Sequence, residues 1–526
     1  MLTLLLTPFM ASSTISIVLF CCMVLLYVLG RRKARLPLPP GPPVHPILGH
    51  IPVFPAKENR DDVFYQWAQQ YGDVVHVNLL GKSIILLNSE QAAADLLDKR
   101  SANYSDRPAF PIYERVGWRD ALAFMPYGPH FTRMRKTLQQ PFNRGEVGKY
   151  LPVHEQEVNT LLKNLLEEPR DVDRHVHRYS IGFMMEILFG HRVTSEDDEY
   201  FQMSEEIADI LRAGARRTLL DISPLFEKLP SWLPGAWFVQ YIRDIKPFLK
   251  NLIDFPIERI QRQMVQGNAR PCVVAKHLEE LEREGKLTAE NTHDIKMIAQ
   301  TTLGGGAETT WHGIMFFVAC MMMNPEAQKR AQQEIDHVVG TGRLPDFGDR
   351  DSLPYVECVV QETMRWYPVA PIGVPHRAME EDEYRGMRIP KGATVIANAR
   401  SMALDARQFH EPHEFRPERF LPHPEGYGEV FSMNLVFGWG RRICPGRFLA
   451  LNSVWLVAVR LLAVFNFQKP RDRDGNVIEQ QLKIVTGLAA HPDHFECDVR
   501  PRSTKAAELA LQAYDQLPPP DTSTTI

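Results

Sequence analysis

The sequence predicts an α+β fold, mainly helical with small β-sheets, preceded by one transmembrane helix. Three observations carry that expectation. Apolar residues recur at helical spacing from about residue 131 to 340, with one break near 229–238. Strand signals are short and isolated, and they do not alternate with helices as a parallel sheet would require. Finally, residues 1–30 contain no charged side chain.

Composition bounds the function. A hydrophobic share of 44% in 526 residues suffices for one large core, and no switch of composition divides the body. The formal charge of −4 argues against nucleic acid as the main partner. Seven cysteines are scattered without a metal-binding framework, which fits a reducing compartment.

In chain order, residues 1–30 are long enough to span a bilayer, and Arg31, Arg32, Lys33 and Arg35 follow at once. No basic residue precedes the apolar run, so this is a signal anchor with a cytosolic body rather than a cleaved signal peptide. The sequon at Asn103-Tyr104-Ser105 should then stay unmodified. Residues 31–45 form a basic and proline-rich hinge, stiffened by Pro37 to Pro43. A body over 46–500 follows, then a partly disordered tail over 501–526.

Within the body, Val74-Val77 and Ile84-Leu87 read as a hairpin, and Ser89 as the N-cap of a helix over 90–99. Residues 105–127, rich in Pro, Gly and aromatics, form a long ordered loop. The break at 229–238, with Trp232 and Trp237, suits a membrane surface. Gly304-Gly305-Gly306 sits inside a helix from about Asp294 to Met322. Each glycine there costs about 0.5–1 kcal/mol relative to alanine, so close backbone approach or a local break is expected. Beside it, Glu308 and Thr309 place a carboxylate and a hydroxyl in an apolar helix. Asp351 to Tyr367 reads as one helix, 385–392 as strand and turn, and 403–435 as irregular coil. A helix follows the cysteine loop and runs to about Val464, and a terminal hairpin centres on Thr486-Gly487-Leu488.

The stretch Phe437-Gly438-Trp439-Gly440-Arg441-Arg442-Ile443-Cys444-Pro445-Gly446-Arg447 is a shaped loop feeding that last helix. Its backbone amides favour a thiolate at Cys444, and Arg442 is a natural partner for a carboxylate. Together they suggest an anionic sulfur ligand and an acidic cofactor.

Position for position, this loop resembles the haem-binding loop of the cytochrome P450 superfamily. The resemblance implies haem b, with Cys444 as the metal ligand, Arg442 on a propionate and Phe437 near the sulfur. Gly440 would allow a tight turn and Gly446 the close approach of the next helix. Gly305-Gly306-x-Glu308-Thr309 resembles the distal motif, in which Glu308 and Thr309 are catalytic and deliver protons beside a helix kink. Glu362-x-x-Arg365 with Arg419 resembles a buried structural network. In the segment Tyr127–Lys136, Arg135 fits a propionate contact, whereas Phe131 stands where a Trp is usual, so that one haem contact is either missing or supplied by His130. His376 resembles a further propionate contact. Arg133, Lys136, Arg441 and Arg447 would add to a basic face for an electron donor.

By the same resemblance the chain is a monooxygenase that oxidises a small apolar organic substrate with O2. NADPH electrons would arrive through a separate cytochrome P450 reductase, with cytochrome b5 as an optional second donor. The expected place is the endoplasmic reticulum membrane. The wording at Leu353-Pro354-Tyr355 and Trp366-Tyr367-Pro368 resembles fungal enzymes of secondary metabolism, including the O-methylsterigmatocystin oxidoreductase group. A haem-thiolate isomerase or dehydratase, and a non-catalytic haem or sterol binder, are the rival functions. Deleting residues 1–30 should release part of the protein from membranes without loss of haem binding, the Trp232/Trp237 patch retaining a fraction. Fractionation of the truncated chain checks this, and full retention on membranes would refute the anchor.

Overall fold

The computed structural model describes residues 36–46, 48–56, 59–195, 198–203, 220 and 224–518. The expected transmembrane helix over 1–30 lies outside the described residues. Among the described residues, eleven longer helices frame the body: α1 (Arg60–Tyr71), α2 (Pro129–Phe142), α3 (Leu151–Glu167), α4 (Val172–Phe189), α5 (Trp237–Gln266), α6 (Val273–Arg283), α7 (Ala289–Met323), α8 (Pro325–Val338), α9 (Pro354–Trp366), α10 (Arg447–Val464) and α11 (Thr504–Asp515). Strands are short: β1 (Val74–Leu79), β2 (Lys82–Leu87), β3 (His376–Arg377), β4 (Asp382–Tyr384), β5 (Met387–Ile389), β6 (Thr394–Ala397), β7 (Phe465–Gln468), β8 (Ile484–Val485), β9 (His491–Pro492) and β10 (Asp498–Pro501). The α+β expectation holds. The largest sheet runs β1-β2-β6-β3, with β2 and β6 parallel.

The hairpin turns on Leu80 and Gly81, both at positive φ (49° and 85°), the backbone that a two-residue turn between twisted strands requires. Ser89 caps the next helix by accepting from Ala92 N at 3.3 Å. The proline-rich hinge is docked on the body rather than free: Pro37 O accepts from Arg388 N at 2.7 Å and Pro40 O from His76 N at 2.8 Å. Gly41 lies so close to β1 that a Cβ would sit 2.1 Å from His76 O.

Two elements differ from expectation. The helix expected over 351–367 starts only at Pro354, after a 3-10 turn over Phe347–Ser352. Leu353 precedes a proline and so avoids helical backbone. The second is the tail expected over 501–526, whose first part holds α11, packed against α3 with Ala510 fully buried.

The core gathers around α7, 35 residues long, with α4, α9 and α10 packed on it. Among the described residues α10 alone is long and apolar enough to cross a membrane. It is instead a core helix, with Trp455 completely enclosed. Beneath it the coil over 403–435 is held by three buried charges. Glu362 Oε1 and Oε2 accept from Arg365 at 2.8 and 2.7 Å, and Arg419 Nε lies 2.9 Å from Oε2. Both guanidiniums also bind carbonyls of the coil, Arg365 those of Ala403 and Pro412, and Arg419 those of His410 and Glu414. Two cations thus share one enclosed carboxylate, and Glu429 adds a second at 3.0 Å from Arg419. Glu362→Ala should lower stability by roughly 3–5 kcal/mol, because it leaves buried charge unpaired. Chemical denaturation measures this, and a loss near zero would show that the triad is not structural.

Candidate functional site

The cysteine loop is set by local backbone geometry. A short helix, Met433–Phe437, ends at Gly438 (φ 80°), and Gly440 follows at φ 58°. A Cβ at Gly440 would meet Leu97 O at 2.1 Å, so only glycine fits. Cys444 N donates to Phe437 O at 2.8 Å, closing the loop just before α10. At Gly446 the expectation of close helix approach fails: φ is −86° and a Cβ there would meet no atom within 4 Å. Its amide instead faces Cys444.

The ionisation expected of Cys444 depends on what the sulfur binds. Burial holds its thiol above the ordinary value, outweighing the Gly446 amide, Arg135 and Arg447, which pull the other way. Loop dipoles alone do not make a thiolate; a metal bound at sulfur would. Among the described residues no group of three His, Cys, Asp or Glu could hold a metal ion. A metal at Cys444 would therefore bring its other ligands with it, as a metalloporphyrin does.

Cations crowd the space beside this loop. Arg442 donates to Ser105 O, Leu122 O and Met125 O at 2.7–3.1 Å, and its guanidinium lies 3.6 Å from the Phe131 ring centroid. Phe131 thus supplies a π-face where the resemblance led one to look for an indole N–H. Arg135 donates to Ile443 O, while its buried Nε has no hydrogen-bond partner. His376 Nδ1 donates to Tyr104 O at 2.8 Å. Arg107 completes the group, bonded to Ala123 O, Val374 O and Pro375 O at 2.6–3.0 Å. Sequence reasoning missed Arg107, whose partners Val374 and Pro375 lie far along the chain.

These groups are electrostatically strained. Burial depresses Arg442 to about 9 and Arg135 to about 10. Arg107 is pushed down by burial and then by Arg442, and His376 by burial and then by Arg107. Guanidiniums keep their protons at neutral pH nonetheless, so the cost stands until anions arrive. Asp106, the nearby acid, is engaged by Arg377 at 2.7 Å. A ligand with two carboxylates fits this donor set.

His130 does not join them. Its Nε2 lies 2.8 Å from Asp294 Oδ1, and Arg133 binds the same carboxylate, so both residues tie α2 to α7. The reason is periodicity: in a helix, positions 130 and 133 share one face and 131 and 135 another.

On α7, Gly305 and Thr309 are the exposed positions within an otherwise enclosed stretch, one turn apart on one face. Thr309 Oγ1 donates to Gly305 O at 2.7 Å. The helix is assigned without a break here, against the expected kink. Close approach explains Gly306, where a Cβ would stand 2.7 Å from Met184 Sδ, but not Gly305, which faces open space. Glu308 turns toward His312, Oε2 to Nε2 being 3.9 Å.

A family model described as Cytochrome P450 matches residues 39–496. The chain is 36% identical to cytochrome P450 monooxygenase 176 of Postia placenta, over 92% of this chain and 94% of the relative. It is 35% identical to monooxygenase 136 of the same fungus, over 93% and 94%. A cytochrome P450 monooxygenase of Armillaria gallica is 35% identical over 96% of this chain and all of the relative.

A flat ligand bearing two carboxylates should raise the melting temperature of this chain, whereas its dimethyl ester should raise it far less. Thermal denaturation with protoporphyrin and its diester makes the comparison. Equal shifts would show that the buried cations do not read carboxylates.

Proposed function

The chain belongs to the cytochrome P450 family and is an oxidoreductase; from that footing we propose a haem b monooxygenase acting on a small apolar organic substrate. The observation that carries this is the placement of Cys444 beside the buried guanidiniums of Arg107, Arg135 and Arg442 and the imidazole of His376. Cys444 Sγ would ligate the iron, and those four residues would hold the two propionates. Haem, when bound, supplies oxygen activation and the oxidation of substrate, chemistry that a thiolate ligand favours.

The remaining work falls to side chains of this chain. Thr309 holds its hydroxyl proton on Gly305 O and, by rotation about χ1, can present it to the open face. Glu308, on the adjoining face, is the acid that resupplies it. The 105–127 segment, which holds a short helix over Pro111–Val116, reaches α7 through Leu122 N, which donates to Thr301 Oγ1 at 3.2 Å. Its rings cluster beside that contact, Tyr113 and Phe124 stacking at 4.2 Å and Phe110 meeting Phe124 edge-on at 5.1 Å, an apolar lining suited to an apolar substrate.

Electrons come from NADPH through a separate reductase, with cytochrome b5 as a second donor, and the body sits on the cytosolic face of the endoplasmic reticulum. Two exposed apolar residues, Trp232 (78%) and Leu225 (72%), support contact with lipid there. Assignment to secondary metabolism rests on sequence wording. None of the three relatives named above carries the O-methylsterigmatocystin name, so the substrate stays at the level of chemical class.

The test is incorporation of one atom from labelled O2 into product, dependent on NADPH and reductase. Product formed without either would favour the isomerase reading. Cys444→Ala should abolish the displaced absorption band of the reduced carbon monoxide complex in protein that still binds haem. Retention of that band would overturn the ligand assignment.

A further inference from the structure

The distal acid has neighbours that the resemblance does not account for. Glu308 and His312 are four residues apart and so share a face of α7, with Oε2 and Nε2 3.9 Å apart. The His312 ring in turn stacks on His491 of β9, centroids 4.7 Å apart and planes 25° from parallel. Asp173 of α4 lies within the electrostatic influence of His491 and His494, and accepts from Trp311 Nε1 at 2.9 Å. Trp311 stacks on His177 of α4 at 4.0 Å, closing the cluster on that side.

Exposure is graded along this line. His312 is 3% exposed, His491 is half-buried and His494 is on the surface. Imidazole is the side chain suited to such a position, because one nitrogen can accept a proton while the other gives one up. The groups facing His312 are Glu308 from its own helix and His491 from β9, with Asp173 and His177 of α4 behind Trp311. Two positive charges on stacked rings would repel, so a proton on one ring disfavours a second proton on the other.

We propose that His312, with His491 stacked on it, returns protons to Glu308 from the solvent side of the fold. This rests on the reading of Glu308 and Thr309 given above. One proton is taken from water at His491, displaces the charge to His312 and is then given to the Glu308 carboxylate. Only N–H and O–H bonds are made and broken, and His312 ends neutral. The 3.9 Å gap is longer than a hydrogen bond, and the stacked rings do not point nitrogens at each other. Water bridges both steps. His312 is thus a positioning residue that acts through Glu308.

The experiment uses the full haem-loaded chain. In the diamagnetic ferrous carbon monoxide complex, ring carbon resonances of labelled histidine are followed from about pH 5 to 8. Glu308→Gln should lower the His312 midpoint by roughly one pH unit, and His491→Phe should raise it. A midpoint that neither substitution moves overturns the proposal. In turnover, His312→Phe keeps a ring for the stack and removes the proton carrier. Product formed per NADPH should fall roughly tenfold toward high pH, with hydrogen peroxide making up the balance. His312→Gln should behave alike, and an unchanged pH profile in both variants overturns the proposal. Thr309→Ala and Glu308→Gln run beside them. If those two leave the product-to-NADPH ratio unchanged, the underlying reading of the acid and hydroxyl fails, which is a separate result.

Discussion

Three guanidiniums and an imidazole enclosed within one another's field are the constraint on which the rest depends. A buried charge must be answered, and backbone carbonyls answer only part of it. Arg107 reaches the carbonyls of Ala123, Val374 and Pro375, and Arg442 those of Ser105, Leu122 and Met125. These bonds draw the 105–127 loop, the segment before β3 and the cysteine loop to one place. The charge left over suits an acidic ligand. The same groups therefore assemble the site and leave it incomplete.

A second enclosed charge cluster does the opposite job. Around Glu362, two guanidiniums meet two carboxylates, Glu362 and Glu429, and their remaining donors take coil carbonyls. Nothing is left for a ligand to supply. Placed below α10, it makes rigid a stretch with little secondary structure of its own. One cluster closes on itself for strength, the other stays open for binding, and the acid-to-base ratio alone separates them.

How much of this was legible in the sequence follows from what each signal depends on. Local signals read well: the 74–87 hairpin, the Ser89 cap, the Cys444 loop and the Glu362–Arg365–Arg419 set appear where expected. Signals that depend on which face a residue occupies read less well. His130 looked like a ligand contact by adjacency to Phe131, yet helical rotation carries it to Asp294. Glu308 and Thr309 looked like one unit, yet neighbours in a helix point about 100° apart, and the acid meets His312. Arg107 had no local pattern, because its partners lie far along the chain. The sulfur's ionisation depends on enclosure, a property of the whole fold, as well as on the dipoles of one loop.

The docked proline stretch carries a consequence for how the enzyme sits in the cell. From Pro37 onward the chain is fastened to the sheet edge and to β5. If residues 1–30 span the bilayer, only residues 31–36 separate membrane from body, a reach of at most about 20 Å when fully extended. Such a tether is too short for tumbling. The body would ride close to the lipid like a lantern on a bracket, with the sheet edge turned toward the headgroups. A redox partner confined to the same membrane would then meet a nearly fixed orientation, and encounter becomes a two-dimensional search.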